Sequence, residues 1–385
     1  MRERLLPWFG THGAERSLTV AALTRFQPVE ATERYAVLDL LRGFALFGVL
    51  LINLLYFFRV SLFAHMTQFH SHEGWANHAI DLVAARLVEF KSFDLFAFTF
   101  GIGVAVQGER AKVRGASVEA FLARRFAVLL AFGACHMVLI SNVDILTLYA
   151  ICGLCLVLLL RLPTAVLAIA GVAAISLPSV FSALSGLPHE AILRAHAADA
   201  TRTYAQGTFA AILKFRWSET QEFIVPLLVG IAQKTFGLML LGMALWRAGV
   251  IREPRRYRAA LLAFGIPAGI IGLIWEIDIL LALAYACAIL LWKRSARTET
   301  LTAPFAAAGR MAFTNYLTQS LILCLIFYGY GFGLFGRLDP ATALLLVIPL
   351  YVAQLAFSLW WLRRYRFGPF EWLWRSLTYG RRQPM

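Results

Sequence analysis

Tyr35-Ala-Val-Leu-Asp39-Leu-Leu-Arg42-Gly-Phe-Ala-Leu-Phe-Gly-Val-Leu-Leu-Ile-Asn53-Leu-Leu-Tyr-Phe57 is an apolar run in which Asp39, Arg42 and Asn53 are the strongly polar side chains. At 1.5 Å of rise per residue a helix of this length covers roughly 30 Å, the thickness of a bilayer's hydrocarbon. Backbone inside lipid must satisfy its own polar groups, and the run is continuous rather than alternating, so a helix is expected and not a barrel strand. Nine similar blocks follow: Ser92–Gln107, Phe121–Ile140, Val143–Leu160, Thr164–Leu184, Phe223–Trp246, Tyr257–Trp275, Ile279–Trp292, Phe305–Tyr328 and Ala341–Leu362. The expected fold is all-α, a polytopic bundle of about ten transmembrane helices.

Composition points the same way. The 385 residues are 60% hydrophobic and 15% charged, against roughly 25% charged in a soluble domain. The net charge of +14 does not gather into one patch, which excludes nucleic acid as a partner and leaves membrane lipids. Basic residues instead occupy alternate connections: Glu109–Arg125, Arg247–Arg258, the Lys293–Arg297 stretch and the C-terminal tail from Arg363. The connections between them, at Asn142–Asp144, Glu276–Asp278 and Arg337–Asp339, are poor in basic residues or acidic. Positive charge marks the cytoplasmic side, so both termini are expected inside. The five cysteines lie in apolar blocks and read as packing residues, not a disulfide framework. No cleavable signal peptide is recognisable.

The chain divides into a cytoplasmic tail (1–34), an N-terminal transmembrane half (35–222) and a C-terminal transmembrane half (223–385) with an interfacial tail. Two outer loops are long, Phe58–Lys91 and Ser185–Glu222. Lys234 lies mid-membrane if the sixth segment starts near Phe223 and at the interface if it starts near Thr235. The tail from Phe367 to Arg375 mixes aromatic rings with arginine, as the headgroup layer favours. Gly331-Phe-Gly333-Leu-Phe-Gly336 fits a dinucleotide fingerprint but lies in an outer loop, without the strand and helix that motif needs. Self-association into a homo-oligomer is left open.

Charges facing lipid cost roughly 2.5–3.5 kcal/mol each on insertion scales, so Asp39, Arg42 and Asn53 should face the bundle interior. On an ideal helix Arg42 and Asn53 lie about 20° apart. The arginine either grips an anion through its fixed donors or forms an internal pair with Asp39. His65, His70, His72 and His78 cluster in the first outer loop, as catalytic bases near neutral pH or as solvated residues; no Cys or carboxylate pair completes a metal site. His136 and Asp144 flank the turn between the third and fourth helices, where a base and its orienter would suit catalysis, and Asp144 also suits an N-cap. Arg310, Thr314, Asn315 and Gln319 decorate the ninth helix, where such side chains often bond neighbouring helices.

Several stretches together resemble the YeiB-like family of bacterial inner-membrane proteins. They are Arg34 to Gly43, Phe93 to Gly103, Asp144-Ile-Leu, Ala308-Gly-Arg310-Met-Ala-Phe-Thr-Asn315-Tyr316-Leu-Thr-Gln-Ser320, and Phe367 to Tyr379. The family's C-terminal half is known as domain of unknown function 418. The resemblance implies a multi-pass protein of the inner membrane, loosely similar to transmembrane acyltransferases such as the heparan-alpha-glucosaminide N-acetyltransferases. Those start with a similar Asp-x-x-Arg-Gly and carry a histidine three residues before a tryptophan in the first outer loop. His72-Glu-Gly-Trp75 and Asp81 look like that arrangement, with the spacing off by about one residue and without a Pro-Trp-Asn-Gly stretch.

The expectation that follows is acyl transfer from acyl-CoA to an extracytoplasmic hydroxyl or amine, with no tightly bound cofactor. His72 would be the base or transient acyl carrier, with His136 and Asp144 as its neighbours. Asp39, Arg42, Asn53, Arg310 and Asn315 would hold the co-substrate. The rivals are a small-metabolite transporter, with broken helices and a midplane site, and a nonenzymatic membrane protein.

Overall fold

A computed structural model describes residues 36–68, 74–113, 117–178, 189–292 and 295–385. Every regular element among the described residues is helical. In chain order they are α1 (Ala36–Ile52), continued by a π-helical turn (Asn53–Phe58), α2 (Leu62–Gln68), α3 (Trp75–Leu87), α4 (Lys91–Val113), α5 (Val118–Leu139), α6 (Ile145–Leu158) and α7 (Thr164–Ser176). Then come α8 (Glu190–Gln206), α9 (Phe209–Glu219), a second π turn (Thr220–Ile224), α10 (Val225–Arg247), α11 (Arg258–Ile274) and α12 (Asp278–Leu291). The last are α13 (Ala296–Arg310), α14 (Ala312–Phe327), α15 (Pro340–Trp361) and α16 (Pro369–Tyr379).

Four helical stretches are long and apolar enough to cross a membrane: Ala36–Phe58, Val118–Leu139, Phe209–Arg247 and Pro340–Trp361. α15 shows why lipid suits their outer surface. Its buried stripe holds Ala343, Val347, Tyr351, Gln354 and Ser358, at helical spacing. Its outer side presents Leu345, Ile348, Val352 and Phe357. The side turned away from the protein is the greasier one, the reverse of a helix in water.

The connections sort into two ends. At one, Arg247 donates to the carbonyls of Leu160 and Leu162, Arg161 pairs with Glu119, and Arg252 with Glu109. At the other, Lys91 pairs with Asp278, Arg86 with Glu276, and Arg59 donates to Leu338 O. The basic connections 109–125 and 247–258 thus meet at one end, and the acidic turn 276–278 lies at the other, matched by Lys91 and Arg86.

Three crossings bring backbones together through glycine, as lipid-embedded helices favour. A Cβ on Gly43 of α1 would meet Phe305 O of α13 at 2.0 Å, and one on Gly309 would meet Asp39 O at 1.8 Å. Gly101 and Gly242 close the α4–α10 crossing in the same way, and Gly171 with Gly237 the α7–α10 crossing.

Three segments differ from expectation. The sixth begins not at Phe223 but at Phe209, because α9, the π turn and α10 form one helix of 39 residues; the boundary at 222/223 falls inside it. That places Lys234 well within the helix, where it meets Asp94 of α4 at 3.0 Å. The ninth block is two helices. Met311 leaves helical geometry at φ −106°, ψ 27°, with its N–H shared between Ala307 and Ala308 carbonyls. The fifth helix ends at Ser176, and residues 179–188 lie outside the described part.

Candidate functional site

Two motifs distant in sequence meet at the α1–α13 crossing. The bare backbones of Gly43 and Gly309 let Asp39-x-x-Arg42 and Arg310 approach. Arg42 Nη1 lies 3.7 Å from Asp39 Oδ1, and Asp39 is also the carboxylate that acts on Arg310. Arg42 Nη2 then reaches Thr99 O of α4 at 3.5 Å. It passes Gly103, where a Cβ would stand 2.9 Å from it. The two glycines of Gly101-Ile-Gly103 thus have separate tasks, one closing on α10 and one admitting the guanidinium.

Beyond this crossing lies a cavity of about 210 Å3. Arg42, Arg125, Arg310 and Arg375 all line it, from α1, α5, α13 and α16. Its other walls are apolar and aromatic, with Phe96, Phe100 and Phe126 prominent. Glu371 also lines it, but its carboxylate is already engaged. It accepts from Phe313 N at 2.7 Å, Thr314 N at 3.0 Å and Thr314 Oγ1 at 2.5 Å. The first two are free N–H groups of the first turn of α14, and the third is the Thr314 hydroxyl. Burial raises the pKa of Glu371, and the three donors oppose that shift.

Arg125 and Arg375 are the residues that sequence reasoning missed. Arg125 stands among the basic loop residues in sequence, yet it is only 7% exposed while Arg124 is exposed. Its place beside Phe121, Leu122, Phe126 and Leu129, all buried, was the available signal: position 125 falls on the inward stripe. Its guanidinium lies 3.6 Å over the Trp374 ring. Arg375 sits one residue further along α16, on the side carrying Glu371 and Trp374, and burial lowers its pKa. The C-terminal tail is therefore a wall of the cavity, which its aromatic–arginine composition did not convey.

Tyr316 of α14 lines the cavity and points its hydroxyl out of it, 3.4 Å from Asp144 Oδ1. Asp144 caps α6, accepting from Thr147 N at 2.7 Å. Its other oxygen stands 2.9 Å from His136 Nδ1, with exposures of 0% and 1% for the two side chains. The His136 ring packs on Tyr316 at 5.0 Å between centroids. Asp144 therefore caps α6 and lies within ion-pair distance of His136, whose ring nitrogens make no hydrogen bond among the described residues. The turn carrying it is buried rather than superficial, because α8 and the first turns of the long helix, α9, pack over it. Glu219 accepts there from Asn142 Nδ2 at 2.6 Å, Tyr204 OH at 2.5 Å and His196 Nε2 at 2.9 Å, while Arg216 donates to Val138 O.

The remaining candidates lie apart. Asn53 is buried where α1 widens into its π turn and does not line the cavity. Asn315 donates to Ala308 O and Ser358 Oγ, and Gln319 to Gln354, fastening α14 to α13 and α15. His70 and His72 fall outside the described residues. Close by, His65 stacks on Tyr56 at 3.6 Å and lies 3.4 Å from Glu89, and Asp81 is buried.

Residues 230–381 match the family described as "Protein of unknown function (DUF418)". Curated relatives extend the likeness over nearly the whole chain. "Uncharacterized protein YxaH" of Bacillus subtilis (strain 168) is 33% identical, across 94% of this chain and 98% of its own. "Uncharacterized protein YeiB" of Escherichia coli (strain K12) is 30% identical, across 90% and 96%. No solved structure matches. The chain belongs to the YeiB-like DUF418 family.

Proposed function

We propose that the protein is a membrane-embedded acyltransferase of about ten spans in a bacterial inner membrane. Both termini are cytoplasmic, and an acyl group, acetyl in the simplest case, passes from acyl-CoA to an extracytoplasmic hydroxyl or amine. One observation carries this reading: a basic cavity and a buried imidazole–carboxylate pair share a single tyrosine, Tyr316. Arg42 and Arg310, steadied by Asp39, hold phosphate oxygens of the donor. The acyl thioester lies toward Tyr316, with His136 and Asp144 beyond it, and His72 is the candidate base that the sequence supplies. A histidine base takes the acceptor's proton, the acceptor oxygen or nitrogen bonds the acyl carbon, and the C–S bond breaks. CoA leaves as thiolate and takes up a proton.

Purified protein in detergent, given radiolabelled acetyl-CoA and sugar, lipid or peptide acceptors, should release CoA. His136→Ala and Asp144→Ala should slow release by roughly 100-fold or more, the usual worth of a positioned base. No release with any acceptor, or full rates in both variants and in His72→Ala, overturns the reading.

The helix break at Met311 and the two π turns favour a second reading, a small-metabolite transporter, whose sites often sit at discontinuous helices. Uptake by reconstituted vesicles, lost in Lys234→Met or Arg42→Gln without any CoA release, would select it.

A further inference from the structure

The cavity carries more positive charge than its own acids match. Asp39 is committed to Arg42 and Arg310, and Glu371 to the first turn of α14. Arg125 and Arg375 have neither an ion pair nor a hydrogen bond from their guanidinium groups among the described residues. Each packs on an aromatic face, Trp374 at 3.6 Å and Phe367 at 4.4 Å, and Glu371 acts on Arg375 only at a distance, without an ion pair. The charged side chains that act on Arg125 are themselves cations, Arg375 and Arg42. A guanidinium nine-tenths buried beside two others is costly to hold, and an anion joining them offsets that cost. Its planar donor fork suits phosphate oxygens.

We propose that Arg125 and Arg375 complete a site for an amphiphilic organic phosphate bearing at least two negative charges, its apolar part lying along the aromatic wall of Phe96, Phe100 and Phe126. This rests on the donor cavity of the preceding reading but not on its chemistry. Two sources share the ligand chemistry, a CoA thioester from the cytoplasm and a polyprenyl diphosphate from the bilayer. The charge tally sets the valence: four arginines against the carboxylates of Asp39 and Glu371 leave an excess of about two positive charges for the ligand to match. The apolar walls set the rest, because inorganic phosphate would leave them unfilled.

Full-length protein in a neutral detergent is titrated with CoA, farnesyl diphosphate and inorganic pyrophosphate, and binding is followed by calorimetry. Wild type should bind CoA or farnesyl diphosphate at least tenfold more tightly than pyrophosphate. Arg125→Gln and Arg375→Gln should each weaken that binding tenfold or more. Thermal unfolding of each variant without ligand checks its fold, and the half-buried Arg375 stands in should Arg125→Gln fail that check. Failure of all three anions to bind wild type overturns the proposal, as does unchanged affinity in folded variants. CoA binding without CoA release from acetyl-CoA keeps the site and removes acyl transfer. Binding of farnesyl diphosphate alone keeps the site and removes acyl-CoA as its occupant.

Discussion

Replacing Gly309 by alanine adds one methyl where, among the described residues, a glycine comes nearest to another helix's backbone. The new carbon would stand 1.8 Å from Asp39 O and 2.7 Å from Gly43 N, where ordinary contact begins at 3.4 Å. Relief means parting α1 from α13 by about 1.6 Å (3.4 − 1.8), since both contacting atoms are backbone and neither can swing away. A gap of 0.5–1 Å already forfeits a quarter to a half of a dispersion contact, and the stacked Phe44–Phe305 pair lies in the same interface. Overpacked cores lose about 1–3 kcal/mol. Here the upper end is expected, about 3 kcal/mol or roughly a 100-fold shift in the folding equilibrium. The control is Gly108→Ala on α4, whose Cβ would meet only Val118 Cγ1 at 3.5 Å. It should stabilise by up to about 1 kcal/mol, through helix propensity. Unfolding of the purified protein in detergent, followed by circular dichroism, measures both. Equal melting of Gly309→Ala and wild type would refute the closed backbone crossing, and with it the account of how Arg42 and Arg310 meet.

Other perturbations have equally definite outcomes. Lys234→Met leaves Asp94, 4% exposed, without its 3.0 Å partner and should cost about 3 kcal/mol; adding Asp94→Leu should recover most of it in the same melt. Asp144→Asn should keep the α6 cap that Asp144→Ala loses, so alanine should unfold more easily by about 1 kcal/mol; equal stability would discount the cap. The raised pKa of Glu371 means that the folded state binds its proton more tightly than the unfolded chain does. That contribution is complete below the unfolded value of about 4.3 and fades as pH rises through the folded pKa. Melting temperature should therefore fall more steeply with pH in wild type than in Glu371→Gln, and parallel slopes would contradict it.

The membrane-spanning character was legible because lipid imposes it along a whole run: α15 is apolar over most of its 22 residues, with Gln354 and Ser358 turned inward. Site geometry was less so, because it depends on which helices cross. Arg42 and Arg310 stood out as charges inside apolar blocks, and the structure brings them together. Arg125 did not, since adjacent arginines look alike in sequence and only the 100° turn separating 124 from 125 sends one inward. The break at Met311 was hidden for a related reason. The residue that stabilises it, Glu371, comes from a helix far along the chain. Lys234 was undecidable until the start of its helix was known.

The continuous helix from Phe209 to Arg247 has 39 residues, about 58 Å at 1.5 Å per residue, so nearly half must project beyond a hydrocarbon layer of roughly 30 Å. That overhang carries Arg216 and Glu219, the two side chains clasping the turn beside Asp144. A rod anchored at one end magnifies rotation: pivoting by 10° would sweep a tip 28 Å away through about 5 Å. The clasp on the turn that bears Asp144 thus belongs to the first turns of the longest apolar helix among the described residues.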